Sequence, residues 1–280
     1  MIQSIHGQPS SHPDGDASVP YDELTTGELF RRAQQITDRG RVGEAISLYQ
    51  HCLHREPRNG VIRNNLGCLL MGAGRLDDAL EVLDEVADNA PPELRSNLGY
   101  ALLQRGDLRR AEQVFREILD LRPSDHEVRN HLGMTLLRRQ RAGDAIGEFS
   151  RVVREDPKNV QGWNNLGCAW QRGGDLDQAL SAFQRALQAD PYSVDARNNS
   201  GCALRESGRV HEAIEELTVA VELEPQNPTI HLNLALSYRE IGDRRKALTH
   251  LRQHLQRGPQ GDELSQLQRL LRELESEGET

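Results

Sequence analysis

Asn64–Leu70 reads NNLGCLL, and this segment returns along the chain at almost constant spacing. It reappears as SNLGYAL from Ser96, NHLGMTL from Asn130, NNLGCAW from Asn164, NNSGCAL from Asn198 and LNLALSY from Leu232. Gly67, Gly99, Gly133, Gly167 and Gly201 are therefore 32, 34, 34 and 34 residues apart. Ala79, Ala111, Ala145, Ala179 and Ala213 follow them at a fixed distance of 12 residues, and Ala247 follows Ala235 in the same way. The first unit is more diverged and aligns through Ala33 and Ala45. A period of this length marks a tandem array of one supersecondary unit, which cannot bury its apolar face alone and must stack on its neighbours.

Each unit carries its own punctuation. Pro57, Pro91, Pro123, Pro157, Pro191, Pro225 and Pro259 close the units, because proline lacks the amide donor and clashes inside a helix. Gly40, Gly74, Gly106, Gly174, Gly208 and Gly242 end the first helix of six units, with Gln140 in that place in the fourth. Between these marks the apolar spacing is helical: Trp163, Leu166, Gly167 and Trp170 share one face, and Ala179, Phe183 and Ala186 the next. The small residues fall where the two helices of a hairpin cross.

The fifth unit, with Trp163, Leu166, Gly167, Trp170, Ala179, Phe183, Ala186 and Pro191, resembles the tetratricopeptide repeat, whose pattern is W-x2-L-G-x2-Y followed by A, F, A and P. The resemblance implies an all-α chain, a right-handed α-solenoid of seven helix-turn-helix repeats at 26–59, 60–91, 92–125, 126–159, 160–193, 194–227 and 228–261. It further implies a concave groove lined by the first helix of each repeat. Two departures stand out. Ser200 replaces a leucine, and its hydroxyl is expected to bond back to the carbonyl four residues earlier. The second repeat is two residues short before Pro91–Pro92, which is expected to perturb the junction that follows.

Residues 1–25 read as a disordered tail, since Met1 to Ser18 is rich in Ser, Pro, Gly, His and Asp without periodicity. Thr25-x-x-Glu28 has the form of a capping box. Residues 262–280 read as a C-terminal capping helix: Asp262 as N-cap, then Leu264, Leu267, Leu270, Leu271 and Leu274 to cover the last repeat. The net charge of −9 argues against nucleic acid. No run reaches the roughly 20 apolar residues of a membrane span. Four cysteines without a CxxC point to a reducing cytoplasm.

In the resembled geometry the sixth position of each repeat faces the groove. Those positions are Arg31, Asn65, Asn97, His131, Asn165, Asn199 and Asn233, with Asn64, Asn130, Asn164 and Asn198 beside them at the fifth. Asparagine is a mediocre helix former, so its repeated use inside helices needs a reason. An amide has both donors and an acceptor and can pair with an extended main chain. The row resembles the asparagine ladder in the repeat domain of O-GlcNAc transferases. If equivalent helices lie about 10 Å apart, one asparagine meets about every third residue of an extended strand. A bland alternative stays open: the amides bridge adjacent first helices or hold water. The ninth positions, Cys68, Tyr100, Met134, Cys168, Cys202 and Leu236, offer apolar pockets between them, or ordinary packing.

No lysines assemble a carboxylate clamp at the second and fifth positions, where the second reads Val61, Glu93, Glu127, Gln161, Asp195 and Thr229. The fourth-position arginines, Arg63, Arg95, Arg129 and Arg197, are expected to lay their stems on apolar surface and pair with nearby acids. His250 and His254 share a face without a carboxylate or cysteine partner, so no metal or cofactor is assigned. No nucleophile–base pair follows from spacing, and the chain reads as a non-enzyme. The expected function is an adaptor or scaffold holding an extended segment of a protein partner. The alternatives are a structural assembly protein that associates with copies of itself, or a non-catalytic targeting subunit of a separately encoded glycosyltransferase.

Overall fold

The computed structural model describes residues 20–84, 91–256 and 261–276. They form fifteen α-helices and one 3-10 turn, with no strand among the described residues. The chain divides into two compact units, the first ending at Asn97 and the second starting at Leu98. The first unit holds α1 (Thr26–Asp38), α2 (Val42–Arg55), α3 (Gly60–Gly72), α4 (Leu76–Asp84) and the start of α5 (Pro92–Arg105). The second holds the rest of α5, α6 (Leu108–Leu121), α7 (His126–Arg138), α8 (Ala142–Glu155), α9 (Val160–Arg172) and α10 (Leu176–Ala189). It continues with α11 (Val194–Glu206), α12 (Val210–Leu223), α13 (Pro228–Glu240), α14 (Arg244–Leu255) and α15 (Gly261–Ser276).

Within the second unit each helix packs on its chain neighbours, and α7, α9, α11 and α13 also touch side by side. That is the connectivity of a solenoid, in which repeats meet only adjacent repeats. The crossing inside a hairpin is fixed by one contact repeated down the chain. A Cβ added to Gly99, Gly133 or Gly167 would fall within 2.6, 2.5 or 2.4 Å of Phe115, Phe149 or Phe183, sixteen residues on. Leu83 and Leu217 press on Gly67 and Gly201 in the same way, at 2.7 and 2.6 Å. All three phenylalanines are fully buried. Ala33 with Tyr49, and Ala235 with Leu251, hold the equivalent places in the first and last hairpins and are buried too.

The turns between paired helices close as the glycines predict. In six of them the glycine has φ between 73° at Gly74 and 91° at Gly106. The amide beyond the turn then bonds back five residues, as Asp175 does to Trp170 O at 3.0 Å and Arg209 to Leu204 O at 2.9 Å. Gln140 adopts the same left-handed backbone, φ 62°, without being glycine. Its neighbours explain how: Arg139 and Arg141, on either side of it, both grip the buried carboxylate of Glu112 on α6, Arg141 at 2.9 Å, and Arg116 joins them.

The fourth-position side chains do more than pair with acids. In the second repeat and in the fourth to the seventh, this residue donates to the carbonyl of the proline six residues earlier, which ends the preceding repeat. Arg63, 4% exposed, holds Pro57 O from Nε and Nη2 at 2.8 and 2.6 Å and Val82 O from Nη1 at 2.9 Å. Arg129 and Arg197 hold Pro123 O and Pro191 O and pair at 2.7 Å with Glu148 and Glu216. Trp163 donates its indole N–H to Pro157 O at 2.9 Å. In the seventh repeat His231 Nε2 serves Pro225 O at 3.1 Å, and its Nδ1 meets Nδ1 of His250 at 3.0 Å, the place of the glutamate elsewhere.

The ends differ in part from the sequence reading. Residues 21–24 lie within the stretch read as a tail, yet they are ordered against α2. Tyr21–Glu23 form the 3-10 turn, Arg55 on α2 holds Tyr21 O at 2.9 Å as well as Leu24 O, and Tyr21 lies edge-on to His51. Thr25 and Glu28 form the capping box. At the other end α15 begins at Gly261, which puts Asp262 inside its first turn rather than ahead of it. Leu267 and Leu274 are buried in one core with Leu251 of α14, and Arg244 holds Leu274 O and Glu275 O. Ser200 is buried, but its hydroxyl makes no bond to the carbonyl of Ala196; the back-bonding expected there is found instead at Thr135 to His131 O and Ser237 to Asn233 O, 2.7 and 2.8 Å. Residues 1–19 and 85–90, the latter just ahead of the shortening at Pro91–Pro92, lie outside the described residues.

Two expectations follow. Gln140→Gly raises stability by about 0.5–1 kcal/mol in urea denaturation, because relief of the left-handed cost, roughly 1–2 kcal/mol, exceeds the entropic cost of glycine; no gain would mean the Glu112 grip already removes the strain. The second concerns pH. Only one proton fits between the two Nδ1 atoms, so the His231–His250 pair carries at most one positive charge while the contact holds. Burial, then His231 and Lys246, hold the His250 imidazole below its ordinary value of 6.5. The unfolded chain therefore takes up the proton first as pH falls, so this contribution to stability is intact above about 6.5 and is lost in the window beneath it. Replacing the pair as His231→Arg/His250→Glu flattens that loss in thermal melts across pH 5–7.5, relative to the wild type.

Candidate functional site

The first helix of each hairpin turns its fifth and sixth positions to one side, because the fourth, seventh and eighth are taken by the proline contact and the buried crossing. In the second unit Asn199 donates from Nδ2 to Asn164 Oδ1 at 3.0 Å and lies 3.4 Å from Cys168 Sγ. Asn233 donates to Asn198 Oδ1 at 2.8 Å. In the first unit Asn97 donates to Asn64 Oδ1 at 2.6 Å and lies 3.2 Å from Cys68 Sγ. In these three pairs the sixth-position amide donates to the fifth-position amide of the preceding repeat. Asn65 follows a repeat whose fifth position is Phe30, and its Nδ2 turns to the Tyr49 hydroxyl at 3.4 Å.

These rungs are the bridges between adjacent first helices that the sequence left open as the bland alternative. They do not exhaust the amides. Each amide has two donor hydrogens and a carbonyl acceptor, and a rung uses one donor and one acceptor. Among the described residues the carbonyl oxygens of Asn97, Asn199 and Asn233, and the amide nitrogens of Asn64, Asn164 and Asn198, have no other protein partner. All six residues are half-buried, so the remaining groups face accessible space.

One rung is missing. Asn130 and Asn165 stand in the same register, yet Asn130 Oδ1 and Asn165 Nδ2 are both buried without a partner among the described residues. Asn130 is also more deeply buried than the other fifth-position amides, at 5% exposed. Beside it His131 breaks the asparagine row. Its ring stacks on Phe115 with centroids 5.6 Å apart and tilts against Tyr100 at 5.1 Å, and its Nδ1 has no partner among the described residues. Burial pulls the His131 imidazole below its ordinary value of 6.5 against the opposing pull of Glu127 and Asp125, so it is neutral at pH 7.

Of the ninth positions, Tyr100, Met134, Cys168, Cys202 and Leu236 are half-buried and Cys68 is exposed. Burial pushes the Cys168 thiol up to about 11, and raises Cys202 and Cys68 as well, so these are neutral thiols at pH 7 that pack rather than react. In the first unit a cleft of about 770 Å³ is lined by Arg31, Tyr49, Asn65, Cys68 and Leu69, which brings two sixth positions and a ninth into one wall. Among the described residues, no group of three His, Cys, Asp or Glu side chains is placed to hold a metal ion. The proline-carbonyl donors escaped the sequence reading, although the signal was there: Arg63, Arg129, Trp163, Arg197 and His231 each follow a repeat-closing proline by six residues.

Tetratricopeptide repeat profiles match residues 31–93, 64–126, 96–160 and 130–194, and further profiles, of the TPR repeat and the tetratricopeptide repeat, match 201–242 and 230–274. A tetratricopeptide repeat protein from Parabacteroides merdae ATCC 43184 is similar in structure, with TM-score 0.77 and 15% identity over 88% of this chain and 98% of its own. A chain of the APC/C hetero-tetramer Cut9-Hcn1 gives 0.65 at 17% identity, over 88% of this chain and 55% of its own. A thermophilic TPR protein of Thermus thermophilus gives 0.57 at 23%, over 66% and 98%. At these identities the likeness shows the fold alone. No curated protein sequence matches the chain.

The rungs are open to a double-mutant cycle. Asn164→Ala with Asn199→Ala shows a coupling of about 0.5–1.5 kcal/mol in urea denaturation, the net worth of one hydrogen bond. The same cycle at Asn130 and Asn165, where no bond is made, gives a coupling near zero. Equal couplings would show that the two pairs do not differ.

Proposed function

The chain belongs to the tetratricopeptide repeat family, and from that premise we propose that it is a protein-interaction scaffold whose first-helix faces hold an extended segment of a partner protein. The observation that carries this reading is the spare bonding capacity of the asparagine rungs. Each rung orders its two amides and still offers an outward carbonyl and an outward N–H, the pair of groups that an extended main chain presents in return. Preorganised amides cost little to align at the moment of binding. The sites are Asn64, Asn65 and Asn97 in the first unit, and Asn164, Asn165, Asn198, Asn199 and Asn233 in the second, with Asn130, His131, Tyr100 and Met134 beside them.

Magnitudes bound the affinity. Each net hydrogen bond contributes about 0.5–1.5 kcal/mol, and ordering a flexible segment costs roughly 2–5 kcal/mol. The amides of one unit alone therefore support binding in the millimolar to micromolar range. Sequence preference comes from side-chain contacts beside the backbone track, at the ninth positions and in the cleft around Arg31 and Asn65. No catalytic role is proposed. Four free thiols fit a cytoplasmic location, and among the described residues no helix is long and apolar enough to cross a membrane.

The test compares proteins captured by the full chain with those captured by Asn165→Ala/Asn199→Ala, after circular dichroism shows both to be folded. Loss of about tenfold in captured partner is expected from two or three weakened hydrogen bonds. Undiminished capture by the folded double variant would overturn the reading.

A further inference from the structure

Four of the six buried polar atoms that lack a partner among the described residues sit on two neighbouring helices, Arg129 Nε, Asn130 Oδ1, His131 Nδ1 and Asn165 Nδ2, and two of these residues, Asn130 and His131, line one cleft. Three are on successive residues of α7 and the fourth is on α9, at the junction of the fourth and fifth repeats. Elsewhere in the second unit the same register closes with hydrogen bonds. A cleft of about 490 Å³ opens at this junction, between the start of α7 and the start of α9, lined by Glu127, Asn130, His131, Asp156, Asn159 and Gln161 among others.

The lining is rich in acceptors and poor in positive charge. Neither lysine nor arginine is part of it, and His126, which also lines it, meets Glu155 Oε2 through Nε2 at 3.1 Å. Glu127, at the second position of its repeat, is exposed and makes no ion pair or hydrogen bond with the described residues. Asp156 accepts from Lys158 N and Asn159 Nδ2, and keeps lone pairs in reserve. At the inner wall stands Asn130, 5% exposed, with its carbonyl oxygen unpartnered. The neutral His131 ring adds Nδ1, an acceptor when Nε2 carries the proton.

An exposed carboxylate, a buried amide oxygen and a buried imidazole nitrogen, all on residues that line one cleft, call for a cation with several N–H groups in a plane. We propose that this cleft is a binding site for an arginine side chain of a partner protein. The guanidinium is planar, always charged, presents five donors and is weakly hydrated, so it matches dispersed acceptors in a partly buried site better than a compact ammonium does. The inference rests on the scaffold reading for the source of the arginine, while the cleft itself can be tested without it. It gives the sequence-blind amide track a point of selection.

The probes are methylguanidinium and methylurea, its uncharged counterpart, titrated at low salt into the isotope-labelled full chain and followed by amide chemical shifts. Shifts confined to residues 126–131 and 156–161 are expected with methylguanidinium, with binding about threefold weaker for methylurea and for the exposed substitution Glu127→Gln. Asn130→Leu, provided it folds, weakens methylguanidinium about tenfold by removing the buried acceptor; Glu127→Gln keeps the test decisive if it does not fold. Equal response to methylurea, scattered shifts, or no response below about 50 mM would overturn the site.

A second arm uses a glycine–serine peptide with or without one central arginine. An advantage for the arginine peptide that disappears in Glu127→Gln supports the proposal. If neither peptide binds while methylguanidinium does, the cleft stands and the track reading fails. If both peptides bind equally and methylguanidinium is ignored, the track stands and the cleft fails.

Discussion

The contact between a glycine on the first helix and a phenylalanine or leucine sixteen residues later sets the geometry on which everything else depends. Where a Cβ would lie within 2.4–2.7 Å of that ring or branch, only a bare backbone lets the two helices come so close. The cost of a glycine inside a helix, about 1 kcal/mol against alanine, is offset by burial of a whole aromatic side chain, worth roughly 1.5–3 kcal/mol. The crossing then decides which positions are consumed inside the hairpin and which remain at its surface. The asparagines are available because the glycine close by on the same helix has made the opposite side the core.

A second layer of interactions ties one hairpin to the next, and it is polar. Pro57, Pro123, Pro157, Pro191 and Pro225 each leave a carbonyl in the turn between two hairpins. A donor six residues on satisfies it, and arginine, tryptophan and histidine all serve. What they share is an N–H on a long or flat side chain that reaches back across the turn. The carbonyl fixes the role and leaves the residue type free, so the fourth position carries no single-letter signature and its charge varies along the chain.

The hairpins were legible in the sequence because their determinants are local and repeated: Gly74 and Gly106 stop helices, Pro123 and Pro157 separate repeats, and Gly167 pairs with Phe183 at fixed spacing. The asparagine positions were legible too, but not their bonding. Asn164 and Asn198 look alike in the sequence, and only the packing of successive first helices shows each accepting from the repeat that follows. Asn130 looks like them as well, yet its acceptor stays unmet. Gln140 was readable as a departure from glycine; its support by Glu112, twenty-eight residues earlier and held from both sides of the turn, was not. Ser200 shows the opposite failure, a local rule that this hydroxyl does not follow although Thr135 and Ser237, buried as well, do.

The direction of the rungs has a consequence for how such a chain can arise. A repeat with asparagine at both positions, as in the second, fifth and sixth, carries an acceptor for the repeat after it and a donor for the repeat before it. Tandem duplication of such a repeat therefore brings both halves of a new bond. Where the preceding repeat lacks the fifth-position amide another group must serve, as where Asn65 follows a repeat with Phe30 in that place and turns to the Tyr49 hydroxyl. Added length then leaves no amide unmet wherever both flanking repeats carry the asparagine pair.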